Sequence, residues 1–155
     1  MNQSIDEIVE KFKSHLIAKN KAEAFFKETI EPKVEKVFQE KFVKAFETIA
    51  EAINTKVGSD VIHCYHENKD KFVIEGLYHK IFFQKSQIEI IVAGTVQVNI
   101  IPIYAWKGIT KHMGPISFIL DIENNTVTWD ISFDSIEMYA TNLFSGFVED
   151  KDFSL

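Results

Sequence analysis

The sequence predicts an α+β fold: two N-terminal helices, the second long and kinked or restarted near Pro32, then a five-stranded antiparallel meander and a C-terminal helix. Three observations carry this. Apolar residues recur every three or four positions through residue 57, the period changes to two after Gly58, and helical spacing returns at residue 135. With 155 residues, 46% hydrophobic and 26% charged, the chain suits one domain with its own core. A single α+β domain over 1–155 is expected: helical over 1–57, sheet over 60–133, helix over 135–148 and a frayed tail over 149–155.

Ser4 followed by Glu7 has the spacing of a capping box, and Ile5, Ile8, Val9, Phe12 and Leu16 then form one apolar stripe. Asn20 is the expected break. From Lys21 a second stripe runs through Ala22, Phe26, Ile30, Val34, Phe38, Phe42, Ala45, Ile49 and Ile53. Pro32 interrupts it. A proline inside a helix costs about 3 kcal/mol, so a kink or a restart with Pro32 in the first turn is expected. Gly58 is a natural stop.

The strands expected are Val61–His66, Phe72–Phe83, Ile88–Ala105, Ile116–Glu123 and Thr126–Phe133. Their joins carry turn residues: Glu67 to Asp70, Lys85-Ser86, Lys107-Gly108 and Asn124-Asn125. A two-residue turn at Asn124-Asn125 would set Ile122 against Val127, Leu120 against Trp129, Phe118 against Ile131 and Ile116 against Phe133, all apolar and on one face. A tight turn at Lys85-Ser86 would set Phe83 against Ile88, Ile81 against Ile90 and His79 against Val92. Ile136, Tyr139, Ala140, Leu143, Phe144 and Phe147 form the last helical stripe, capped by Asp134 or Ser135.

On that register Glu75 and His79 share the inner face with Val73, Leu77 and Ile81. Phe72, Ile74, Tyr78, Phe82, Ile91 and Ala93 occupy the other. A sheet covered on one side alternates apolar and polar residues, so two apolar faces imply a second cover. This makes Phe72, Ile74, Tyr78, Phe82 and Ile91 candidate interface residues. Trp106 and Met113 join them, on the long connection from Trp106 to Gly114. Phe38, Phe42 and Phe46, with Glu75 and His79, are candidate ligand contacts lining a cavity between the long helix and the sheet.

The formal charge is −6 at pH 7, and all 17 cations are lysine. Without the rigid bidentate fork of arginine, an acidic chain is poorly equipped to track phosphates or read bases, so no nucleic-acid partner is expected. His63, Cys64, His66 and Glu67 cluster in sequence, but strand alternation sends His63 and Cys64 to opposite faces and no zinc spacing is present; no metal and no cofactor is expected. Asp121 and Asp130 lie diagonally across the last hairpin, as a solvated strand face normally carries them. Phosphate-binding glycine motifs and nucleophile motifs are missing from the sequence.

No apolar run is long enough to span a membrane, no secretory leader is visible, and a lone Cys64 fits a reducing compartment, so a cytoplasmic protein without membrane contact is expected. The function expected is non-catalytic: a protein-interaction module acting as a homodimer or in a complex. A small apolar-ligand-binding module is the alternative, and an enzyme using His79 and Glu75 is third.

Overall fold

The computed structural model describes residues 4–92, 94–106 and 108–148. The expected frayed tail, 149–155, lies outside the described residues, as do Ala93 and Lys107. The architecture is α+β: a long N-terminal helical run, an antiparallel sheet of seven strands and a C-terminal helix. The chain divides into two compact units, one ending at Glu35 and the other beginning at Lys36.

The first unit opens with α1 (Ile5–Phe25), capped by Ser4, whose Oγ accepts the Glu7 N–H at 3.3 Å. The expected break at Asn20 does not occur. Asparagine costs a helix interior under about 0.7 kcal/mol relative to alanine, too little to end one. A π turn, Phe26–Ile30, leads into α2 (Glu31–Val37), and Pro32 occupies the first turn of α2. Proline lacks an N–H, and its ring clashes with the carbonyl four residues back. In the π turn the Glu31 N–H reaches back to Phe26 O, so the widened backbone accommodates the ring and the helix continues. One long helix therefore replaces the two expected.

In the second unit a further π turn (Phe38–Val43) precedes α3 (Lys44–Val57). In a regular α-helix a four-residue step overshoots one turn by roughly 40°, so Phe38, Phe42 and Phe46 would drift around the axis. The wider π turn takes up that excess, and all three rings are fully buried. Gly58 ends α3 in the left-handed region, φ 81°, as expected. Asn54 then clamps the connection: its Oδ1 accepts the N–H groups of Val61 and Ile62 at 2.9 and 3.0 Å, and its Nδ2 donates to Ile62 O at 2.8 Å.

The strands are β1 (His63–Asn68), β2 (Lys71–Glu75), β3 (His79–Val92), β4 (Thr95–Trp106), β5 (Ile109–His112), β6 (Ile116–Asp121) and β7 (Thr126–Asp130). They lie in the order β1-β2-β3-β4-β6-β7, with β5 also paired to β4. Among the described residues seven strands stand where five were expected: two of the expected strands each contain a turn, their halves merge through Lys85-Ser86 into β3, and the expected connection after Trp106 contributes β5. Phe72–Phe83 folds back at Leu77-Tyr78, with the Gly76 N–H on His79 O at 2.8 Å. Ile88–Ala105 folds back at Gly94, whose φ is 79°. Conversely, Lys85-Ser86 is no turn. The β3–β4 register shifts between Lys85 and Ile88, and Ser86 Oγ accepts the Asn99 N–H at 3.2 Å at this bulge. The expected pairings of Phe83 with Ile88, Ile81 with Ile90 and His79 with Val92 therefore give way to Phe83 with Phe72 on one side and Pro102 on the other.

The last hairpin is displaced by two residues from expectation: Phe118 pairs with Trp129 and Leu120 with Val127. A loop over 122–125 replaces the two-residue turn, and only Asn125 has positive φ, 55°. A shift of two preserves the faces, so Ile116, Phe118 and Leu120 are still buried together. The stretch expected as a long connection, Trp106 to Gly114, is instead the end of β4, a tight turn at Gly108 (φ 80°) and β5. α4 (Ile136–Val148) starts at Ser135, whose Oγ accepts the Met138 N–H at 3.1 Å, and buries Ile136, Tyr139, Ala140, Leu143 and Phe144 as the stripe predicts.

Candidate functional site

The rings expected to wall a cavity form an aromatic core. Phe42 stacks on Phe38 at 5.4 Å and Trp129 at 6.0 Å, and meets Phe83 edge-on at 5.0 Å. Phe46 adds Phe72, Phe83, Tyr139 and Phe144 at 5.1 to 6.2 Å. Lys85 reaches into this core, its Nζ 3.3 Å from Asp70 and 5.4 Å above the Phe38 ring. Burial raises the Tyr139 hydroxyl pKa above its ordinary value.

His79 and Glu75 do not share a face. The turn at Leu77-Tyr78 gives cross-strand partners opposite parity, Ile74 with Ile81 and Glu75 with Lys80, so His79 points inward and Glu75 outward. His79 is buried, its Nδ1 2.6 Å from the Tyr104 hydroxyl, and its ring stacks with Phe147, Tyr104 and Trp106 at 5.3, 5.7 and 6.1 Å. Glu75 Oε1 accepts the Tyr65 hydroxyl at 2.7 Å and pairs with Lys80 at 3.1 Å. The Tyr65 hydrogen bond first, and Lys80 second, hold the Glu75 carboxyl below its ordinary pKa, and the same carboxylate raises the Tyr65 hydroxyl.

The apolar second face requires the same correction. Phe72 and Ile74 lie with Phe83 and Ile81 in the core and are fully buried. Phe82 does face outward, but the Lys71 and Lys80 ammonium groups cover its ring at 4.5 and 4.8 Å. Trp106 is half-buried on the His79 stack, and Met113 is half-buried with its N–H on Pro102 O at 3.0 Å. Of the seven expected interface residues, Tyr78 and Ile91 are exposed.

Cys64 is half-buried, and desolvation, with Glu47 adding to it, pushes its thiol up to about 12. His66 Nε2 lies 3.0 Å from Gln39 Oε1. The observed register separates Asp121, opposite Thr126, from Asp130, opposite Ser117, so the two are not diagonal neighbours. Asp121 instead accepts the backbone and side-chain N–H groups of Asn124, which lower its pKa. Among the described residues no three histidine, cysteine, aspartate or glutamate side chains stand close enough to hold a metal.

Two features were not anticipated. One is an apolar cleft of about 550 Å³ between α3, α4 and the β2–β3 turn, lined by Ile49, Ile53, Val57, Leu77, Phe144 and Phe147 among others. The spacing of Ile49, Ile53 and Val57, which continues one helical face beyond the aromatic core, was the available signal for it. The other is α1. None of its 21 residues is buried, although Ile5, Phe12 and Leu16 are 79%, 70% and 57% exposed on one stripe with Ile8 and Val9. Further exposed apolar residues sit at two strand turns: Leu77 and Tyr78 between β2 and β3, and Ile90, Ile91 and Val92 at the end of β3.

Among the described residues no helix is long and apolar enough to cross a membrane. Comparison with known protein families, with characterised proteins and with solved structures returns no match to this chain.

Proposed function

We propose that this chain is a protein-interaction module that works by self-association, with the apolar stripe of α1 as its contact surface. One observation carries the reading: α1 presents Ile5, Ile8, Val9, Phe12 and Leu16 to solvent on a single face. An isolated helix gains little from propensity alone, and amphipathic helices persist by burying their apolar stripe. Each such side chain taken out of water is worth about 1.5–3 kcal/mol. A stripe of five repays a partner.

Light scattering across micromolar and higher concentrations tests this. The parent protein is expected to rise towards twice the single-chain mass as concentration increases, while Phe12→Asp stays at the single-chain mass and loses part of its helical circular dichroism as the unpaired α1 frays. A parent that keeps the single-chain mass throughout overturns the self-association reading.

The cleft beside α4 favours a second reading, a binding site for a small apolar molecule. Its volume of about 550 Å³ falls within the usual range of ligand pockets. Fatty acids or flat aromatics are expected to raise the melting temperature, and Leu77→Asp to abolish the shift. No shift with either class removes this reading.

A further inference from the structure

The charge order along α1 specifies how two copies would meet. From Ile5 to Glu10 the helix carries Asp6, Glu7 and Glu10 and no lysine; from Lys11 to Lys21 it carries Lys11, Lys13, Lys19 and Lys21 and no carboxylate. Within the helix, Lys13 sits 3.4 Å from Glu10 and Lys19 3.8 Å from Glu23, both pairs exposed. We propose that α1 pairs antiparallel with α1 of a second copy, its acidic opening turns beside the basic later turns of its partner. This rests on the reading of the α1 stripe as a self-association surface.

Geometry and electrostatics agree on that orientation. At 100° per residue, Ile5, Ile8, Val9, Phe12 and Leu16 fall within about 100° of one another, a seam wide enough for one partner helix. The seam runs from Ile5 to Leu16, so full overlap of two seams places the two-fold axis between Glu10 and Lys11. Ile5 then lies level with the partner's Leu16, and Val9 level with its Phe12. Asp6 and Lys13 flank the seam on the same side. In an antiparallel pair like flanks meet, which brings each Asp6 towards the other copy's Lys13. A parallel pair would set three carboxylates level with three carboxylates, at the ends where both helix dipoles are positive and aligned. Opposite charge alignment also discriminates between the two orientations more strongly than it adds affinity. The seam is short, so the association belongs to the small, transient class of interfaces.

Single cysteines read the orientation directly, because a disulfide needs Cα atoms within about 7 Å. In a Cys64→Ala background, Ile5→Cys and Leu16→Cys are oxidised separately and as a pre-incubated mixture. In the antiparallel pair two copies of position 5 lie roughly 16 Å apart along the axis, at 1.5 Å per residue. Neither variant alone is then expected to cross-link, and the mixture is expected to give a disulfide dimer. Dimers from each variant alone would overturn the orientation and leave self-association standing. A parent of double mass with no cross-link in any sample would remove α1 from the interface. A parent of single-chain mass with no cross-link would remove the self-association reading as well.

Discussion

The Phe147 ring of α4 lies so close over Gly76 that a methyl group built on that glycine would come within 2.7 Å of the ring. The same ring stacks on His79 at 5.3 Å, so Gly76 is the clearance through which α4 reaches the buried histidine. Gly76→Ala is expected to destabilise the fold by about 1–3 kcal/mol through overpacking. In a Phe147→Ala background the same substitution is expected to cost under half as much, since the clash is gone. Urea midpoints of the four proteins check this coupling.

Asn54 is expected to behave as a structural clamp. It satisfies two N–H groups and one carbonyl at the turn from α3 to β1. Asn54→Ala leaves those groups without their partner and is expected to cost about 2–3 kcal/mol. Asn54→Asp keeps both acceptor bonds but loses the donor to Ile62 O, so it is expected to fall between the two in a chemical denaturation series.

Stability is expected to fall on the acid side in part through Glu75 and Asp121. Both carboxyls have folded pKa values below their ordinary ones, Glu75 through Tyr65 and Lys80, Asp121 through Asn124. Such a group stabilises the fold above its unfolded pKa, 4.5 for Glu75, and loses that contribution as pH falls through the lowered folded value. Both groups are solvent-facing, so each effect is small and screened by salt. Glu75→Gln is expected to lie below the parent in melting temperature at pH 7, with the gap narrowing progressively as pH falls below 4.5. A constant gap across that window would exclude the linkage.

Cys64 is expected to be nearly inert in the folded protein. With its thiol moved from 9.0 to about 12, the thiolate fraction at pH 8 falls on the order of a thousandfold. Iodoacetamide labelling at pH 8 is expected to be slow until denaturant is added, then rapid. Equal rates in both conditions would contradict the burial.

Much of the helical architecture was legible because helices announce themselves by spacing and caps. Ser4, Gly58 and Ser135 act where the sequence puts them, and the α4 stripe is the buried face. The sidedness of β6 and β7 survived a register error of two because side chains alternate with period two. The central strands were illegible at their turns. Leu77-Tyr78 has no turn chemistry, Gly94 is a single glycine inside an apolar run, and Lys85-Ser86 has the residues of a turn but sits at a bulge. Strand length argues for the turn at Gly94: eighteen unbroken residues from Ile88 to Ala105 would make a strand of about 60 Å, far beyond the usual range. The π turns had a sequence signal too, a strict four-residue period from Ala22 to Phe42 where 3.6 fits an unbroken helix. The α1 stripe is visible in the spacing; that no residue of α1 is buried is not, because spacing does not encode burial.

The strand order has a kinetic consequence. Except where β4 skips β5 to reach β6, each strand pairs with its successor in the chain, so the ladder zips up through short closures that cost little chain entropy. Bringing Phe144 to Phe46, which sit 6.0 Å apart, closes nearly a hundred residues at once. That clasp is expected to form late on folding and to open early on unfolding.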